Sequence, residues 1–355
     1  LSDLAIAVRG QDSRHQRKQL LAAVDKTART LGRDHHLHVL IAVPYGLGAA
    51  RESYHLLGWR LRASDVAAAV RAAGRRHKPD DPRVDDEPEV EWTYVDDVRA
   101  AATTRRDAER PVSWFAGRSV EVWGCGALGS WVAEHLVRSG VAQLTLRDPG
   151  YVTSGLLVRQ NYTAADVGRP KAKALADRMR AIATAQTVVE AHVGSALAGI
   201  SSATSLDAIF DCTVSNAVAV AVDRFQTSGR LSVPVVQLAT DVESACLGHL
   251  TIAGAADGGQ NATIDSTLRD RVLDDTSLAT YSGFWNRDAQ PTLVPTTGCS
   301  IPTFHGSSAD SMAIAATAVT LAAGALAKRI DCGYLWASPH AGLDAPFVAV
   351  VGPDA

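Results

Sequence analysis

Cysteine is scarce in this chain: there are five in 355 residues, odd in number and widely spaced. That excludes a disulfide framework as the organising device and leads to the expectation of a reducing cytoplasm. A surplus of positive charge is also missing. The formal net charge of -3 offers no field for a phosphate backbone, so nucleic acid is not an expected partner. Nor is there an apolar run of the roughly 20 residues that a bilayer span requires. The nearest candidate, residues 311 to 327 (SMAIAATAVTLAAGALA), is alanine-rich and reads as a buried helix, so no membrane partner is expected. No secretory signal, internal repeat or low-complexity tract is visible. The chain starts at Leu1 rather than Met, as a processed or excised piece of a longer protein would. What is present in quantity is apolar residues, 46% of the chain, enough to bury a full core in one large or two modest domains.

The pattern along the chain predicts two parts, a small N-terminal α/β domain over 1–112 and a larger α/β domain over 113–355. In the first, residues 14–31 space apolar positions at helical intervals, and HVLIAVP (38–44) suits a buried strand ended by proline. The stretch 74–91 is charged and proline-bearing, the composition of a solvated loop. "DHHLH" (34–38) invites a metal reading, but neighbouring histidines point apart on any regular element, and the strand that follows accounts for the position. In the second part strands are expected at 119–123, 142–147, 207–211 and 233–238, with helices at about 127–139 and 170–182 between them. Such alternation predicts a mainly parallel sheet with helices on both faces. Residues 255–292 read as a long, polar, irregular segment.

The chemistry is concentrated in residues 121–150, EVWGCGALGSWVAEHLVRSGVAQLTLRDPG. Gly124, Gly126 and Gly129 fit G-x-G-x-x-G between a strand and a helix: the first for a tight turn, the second for phosphate approach, the third for close helix packing. A helix starting at Ala127 and Leu128 offers unpaired amides to an anion. Asp148, 19 residues past Gly129 at the end of the next strand, suits a ribose. Alone, this fingerprint points to a dinucleotide such as NAD, although no hydride-transfer acid can be named. Arg159, 11 residues further on, and Lys171 at a helix start shift the reading toward ATP, because attack of a carboxylate on an α-phosphate brings two anions together. Each cation read singly is also a surface ion pair or a solvated helix residue.

In their order, GCGALGS, LRDPG, RQNY, VGRPKAKALADRM, FDCTVSN and LGHLTIA resemble the ThiF/MoeB/HesA superfamily, the adenylating domain shared with ubiquitin-activating enzymes, over about residues 113–330. The resemblance implies a Rossmann-like fold that binds ATP and, with Mg²⁺, adenylates the C-terminal carboxylate of a ubiquitin-like protein or peptide. It implies that Asp148 holds the ribose, that Arg159, Gln160 and Lys171 contact phosphates, and that a substrate tail lies beside GHLTIA (248–253). It further implies a homodimer, and the likeness is nearest to bacterial members that work with a ubiquitin-conjugating-like or JAB-type partner. Against the family pattern, Gly150 and Leu156 replace an acid and an Asn, and Val214 replaces the Asp that holds magnesium, with Asp211 at the first acid of that motif. Asp211 reads either as facing the nucleotide crevice or as capping the turn after its strand. The two C-x-x-C pairs of many members are absent, so no metal of that structural type is expected.

Some members pass the acyl group to a cysteine. Cys299, in TTGCSIPTFHG with His305 and shortly before the apolar helix, is the best placed of the five thiols for that, its other reading being a small packing residue. Cys125, Cys212, Cys246 and Cys332 rank below it. Arg105 or Arg106 matches, by resemblance, an arginine that reaches the γ-phosphate of a partner subunit, or else is a solvated helix end. Trp114, Trp123 and Trp131 are expected to pack the domain. The competing reading from another class is a catalytically silent nucleotide-binding scaffold that docks a ubiquitin-like or conjugating partner.

Overall fold

The computed structural model describes residues 22–24, 26–27, 29–31, 35–45, 53–66, 91–96, 109–183, 186–200, 205–255, 259–286, 306–338 and 345–352. The chain divides into two units, Leu1–Asp97 and Val98–Ala355.

In the first unit, helical residues between 22 and 30 accompany an antiparallel sheet of β1 (His36–Tyr45), β2 (Ser53–Arg62) and β3 (Glu91–Thr93), in that order. Strand alternation sorts β1: Leu37 and Val39 join Val24, Trp59, Leu61 and Val66 in the core, while His36 and His38 stay exposed opposite Arg62 and Arg60. His36 and His38 of the DHHLH run are thus outward-facing strand residues, and His35 is exposed just before the strand. Of the predicted loop 74–91, residues 74–90 lie outside the described residues and Glu91 opens β3.

The second unit is built on an eight-stranded sheet. Its strands are β4 (Ser119–Trp123), β5 (Gln143–Arg147), β6 (Val188–His192), β7 (Ala208–Asp211), β8 (Val235–Thr240), β9 (Leu247–Ala253), β10 (Cys332–Ala337) and β11 (Val348–Val351). The order is β11-β10-β9-β8-β7-β4-β5-β6; β8, β7, β4, β5 and β6 run parallel, and β9, β10 and β11 continue antiparallel. From β4 the chain proceeds outward to β5 and β6, then returns to build β7 and β8 on the other side. The connections after β4 and β7 therefore diverge, leaving a crevice at the carboxyl ends of these two strands.

Helices cover both faces. On one lie α1 (Gly129–Arg138) and α2 (Lys171–Ile182); α3 (Asn216–Thr227) and α4 (Asn261–Asp274) lie on the other. The long α5 (Ser308–Lys328) packs with α1, placing Ile314, Val319, Leu326 and a row of alanines in the core. Each fully buried Ile, Val or Leu of this kind contributes about 1.5–3 kcal/mol. By length and composition α5 could cross a bilayer, and half of its most apolar stretch is buried within the unit. A capping box starts it: Ser307 Oγ accepts the Asp310 amide at 3.2 Å, and Asp310 Oδ2 accepts the Ser307 amide at 2.8 Å. Trp123 is fully buried and Trp114 packs on Phe115.

The expected irregular segment at 255–292 is the main correction. Residues 261–274 form α4, followed by a 3-10 stretch at Thr276–Trp285. Only Asn261, Ile264, Leu268 and Val272 are buried along α4, a stripe too narrow to stand out in a polar composition. Asn261 begins it with its side chain, donating from Nδ2 to the Val235 carbonyl at 3.1 Å and to Thr251 Oγ1 at 3.0 Å. The helix then crosses β10 at Gly333, where a methyl group would come within 2.7 Å of Leu268.

Candidate nucleotide site

The glycine turn connects β4 to α1 across the mouth of the crevice, and its three glycines have different reasons to be there. Gly124 sits at φ +81°, and an added Cβ would lie 2.9 Å from the Cys212 carbonyl oxygen at the end of β7. Gly129 passes so close to Gly124 that a Cβ would fall 1.8 Å from its oxygen. Around Gly126 a Cβ would meet nothing within 4 Å, so the middle of the turn faces open space. Helix α1 begins at Gly129, two residues later than expected, with Leu128 as its N-cap and no side-chain capping bond. The amides of Gly126, Ala127 and Leu128 make no hydrogen bond among the described residues. With their side chains buried or absent, these residues offer backbone N–H groups to an anion.

Asp148 follows β5 and is 8% exposed. Its Oδ2 accepts the Cys125 amide at 2.7 Å, and its Oδ1 accepts the Gly150 amide at 2.6 Å. The carboxylate is thereby fixed beneath the glycine turn. Lys171 opens α2, its amide donating to the Gly150 carbonyl at 2.9 Å. A Cβ on Gly150 would stand 3.0 Å from Asp148 Oδ1 and 3.7 Å from Lys171 Cδ and Cε, so the lysine stem runs over Gly150 beside the aspartate. The glycine found where the family has an acid is thus the floor on which these two side chains meet.

Arg159 and Gln160, both 7% exposed, lie in a segment stapled to α1. The Arg159 carbonyl accepts Trp131 Nε1 at 3.0 Å, the Asn161 amide donates to Ser130 Oγ at 3.1 Å, and Asn161 Nδ2 donates to Glu134 Oε2 at 2.6 Å. Tyr162 completes the staple, its hydroxyl donating to the Cys125 carbonyl at 2.7 Å. Burial pulls the Glu134 carboxyl up, but the bonds from Asn161 and Arg138 outweigh it and hold it below the ordinary carboxylate value. Gln160 Oε1 is buried with no hydrogen-bond partner among the described residues, an acceptor available to a donor on a ligand. Within RQNY, the resemblance singles out Arg159 and Gln160. The work of Asn161, Tyr162, Ser130 and Glu134 was missed, because it depends on contacts between α1 and a segment 27 residues or more along the chain.

Asp211 closes the other side of the crevice. Its Oδ1 accepts both the amide and the hydroxyl of Thr213, at 3.0 and 2.6 Å, and its Oδ2 accepts Gln237 Nε2 at 3.2 Å. Of its two readings, the turn cap is the one realised in these bonds. Burial raises its carboxyl above the ordinary value, although all three bonds act against that. Val214 follows with φ +50° and 67% exposure, a β-branched residue in the left-handed region. Where the resemblance implies magnesium, the residues are therefore a buried aspartate that already accepts three hydrogen bonds and an exposed valine. Among the described residues no cluster of three or more His, Cys, Asp or Glu could hold a metal. This donor set does not fit a protein-held Mg²⁺.

Cys125, Cys212, Cys246 and Cys332 are buried, and burial raises all four thiols, which disfavours the thiolate a nucleophile needs. Cys299, His305, Arg105 and Arg106 lie outside the described residues. On β9, the GHLTIA strand carries His249, whose Nε2 stands 2.9 Å from Asp265 Oδ1 under Phe284 and Trp285.

Comparison with protein families matches residues 115–327 to the ThiF family. Among curated proteins, the chain is 38% identical over 85 residues to the tRNA threonylcarbamoyladenosine dehydratase of Escherichia coli K12, covering 24% of this chain and 32% of that protein. It is 32% identical over 116 residues to the ATP-dependent ubiquitin transferase-like protein Cap2 of Enterobacter hormaechei, covering 32% of this chain and 19% of that protein. Both matches thus span a third or less of the relative's length. Among solved structures, that of the E. coli dehydratase in complex with AMP aligns with a TM-score of 0.44 at 19% identity, over 67% of this chain and 98% of that one. A match that runs from the 3-10 turn before β4 to the end of α5, over more than half of its residues, makes this chain a member of the ThiF family.

Proposed function

We propose that the chain is an adenylating enzyme that uses ATP to activate the C-terminal carboxylate of a ubiquitin-like protein or peptide. The observation that carries this reading is the Asp148 clamp: a carboxylate held by two amides beneath an open glycine turn, with Lys171 beside it. Asp148 is placed to accept ribose hydroxyls, and the amides of Gly126, Ala127 and Leu128 to take phosphate oxygens. In the reaction a substrate carboxylate oxygen bonds to the α-phosphorus as the bond from that phosphorus to the β-phosphate bridging oxygen breaks, and pyrophosphate leaves with the electron pair. Lys171 and Arg159 offset the negative charge gathered at that step. A positioned cation of this kind contributes roughly 3–4 kcal/mol of transition-state stabilisation. We further propose cytoplasmic action as a homodimer, with a conjugating-like or JAB-type partner and with Cys299 as the acyl acceptor where a thioester forms. Cap2's description as ubiquitin transferase-like supports the substrate class.

A second reading is favoured by one observation, the valine at 214 after an Asp211 whose oxygens are engaged by Thr213 and Gln237. On that reading the site holds nucleotide and docks a partner without turnover. ATP–pyrophosphate exchange separates the two, run with magnesium and a panel of ubiquitin-like proteins and glycine-ended peptides. Substrate-dependent exchange establishes adenylation; nucleotide binding with no exchange across the panel establishes the scaffold.

A further inference from the structure

We infer that, among the described residues, the carboxyl end of β7 supplies no direct ligand to a nucleotide-bound magnesium, and that residue 214 is the position that decides this. The inference rests on the nucleotide reading of the site. Its ground is the donor set at the carboxyl end of β7. Asp211 is 4% exposed, and its two oxygens accept three hydrogen bonds from Thr213 and Gln237. A carboxylate committed to shaping its own turn has no preformed position for a hard, octahedral cation. The next exposed residue after this strand end is Val214, two residues past the Cys212 carbonyl that packs on Gly124. It carries no donor atom.

The backbone there makes the substitution informative. At φ +50° the position suits Asp or Asn, whose short polar side chains tolerate the left-handed region, and it is costly for valine. The valine is also 67% exposed, so core packing does not account for it. The amides of the glycine turn and Lys171, whose stem lies over Gly150, are left to meet the charge of the phosphates. A metal without a ligand at this strand end acts on affinity only through the phosphate charge it offsets. The coupling energy of a direct ligand at 214 is then absent from wild type.

The test is calorimetric titration of the full chain with ATP in magnesium and again in EDTA, on wild type, Val214→Asp and Val214→Asn. The expected result is a wild-type Kd that does not weaken in EDTA by more than about threefold, a Val214→Asp variant that weakens about tenfold or more in EDTA relative to wild type, and a Val214→Asn variant that follows wild type. Position 214 is exposed and already left-handed, so both replacements are compatible with the fold. Wild-type binding that weakens about tenfold or more in EDTA overturns the inference and leaves the adenylating reading intact. So does a Val214→Asp variant without metal dependence, with respect to the role of that residue. No binding of ATP under either condition overturns the nucleotide reading itself, and this inference with it.

Discussion

At the scale of single residues, the site separates groups that touch a ligand from groups that shape the turn. We place Lys171 in the first kind: its stem passes over Gly150, on which the Asp148 carboxylate also closes, and it is not among the buried residues of the core. Lys171→Ala is expected to lower pyrophosphate exchange by a factor corresponding to roughly 3 kcal/mol, with an unchanged circular dichroism spectrum; exchange at the wild-type rate would remove Lys171 from the mechanism. Asp211 belongs to the second. Burial holds its carboxyl above the ordinary value of 3.8, so folding favours the protonated form. Its contribution to stability is therefore fully present below that value and is lost as pH rises through the folded value. Asp211→Asn stays neutral and can still accept from Thr213. Its stability relative to wild type is expected to rise from acid toward neutral pH in thermal melts, and a flat difference would refute the sign.

At the scale of elements, β4 and β5 are tied by more than their ladder. Glu121 Oε1 and Arg147 Nε lie 2.7 Å apart, with side chains 5% and 11% exposed, on the face opposite α1. Removing one member strands the other in a dry environment. Glu121→Ala is expected to cost about 3–5 kcal/mol in denaturant unfolding, against under about 1 kcal/mol for the exposed pair partner change Asp177→Ala. The strand–turn–helix–strand from β4 to β5 was legible in the sequence, because glycines at 124, 126 and 129 and an acid at 148 each answer a separate geometric demand. Helix α4 was not. Its buried apolar stripe is Ile264, Leu268 and Val272, three residues in fourteen, and its reason for packing, the bare surface at Gly333, is supplied about 65 residues along the chain. Val214 was legible as a missing acid but not as a left-handed residue, since φ there is set by the Asp211–Thr213 turn.

At the scale of the molecule, the second unit places exposed Tyr151, Val158 and Val167 along the crossover between β5 and α2, beside the site. Sedimentation of the purified chain is expected to give the mass of a dimer of 37.4 kDa protomers; a monomer at micromolar concentration would count against the proposed homodimer. The crossover has a second consequence, through the peptide unit of Cys125. Its N–H is taken by Asp148 and its carbonyl by Tyr162, two side chains from separate parts of the chain. The entropy of ordering the turn is thus lost during folding and not when a nucleotide arrives. Capture then needs no ordering of the glycine turn, and in stopped flow the observed rate is expected to climb in proportion to nucleotide concentration with no plateau, the behaviour of a single bimolecular encounter; a plateau would refute this.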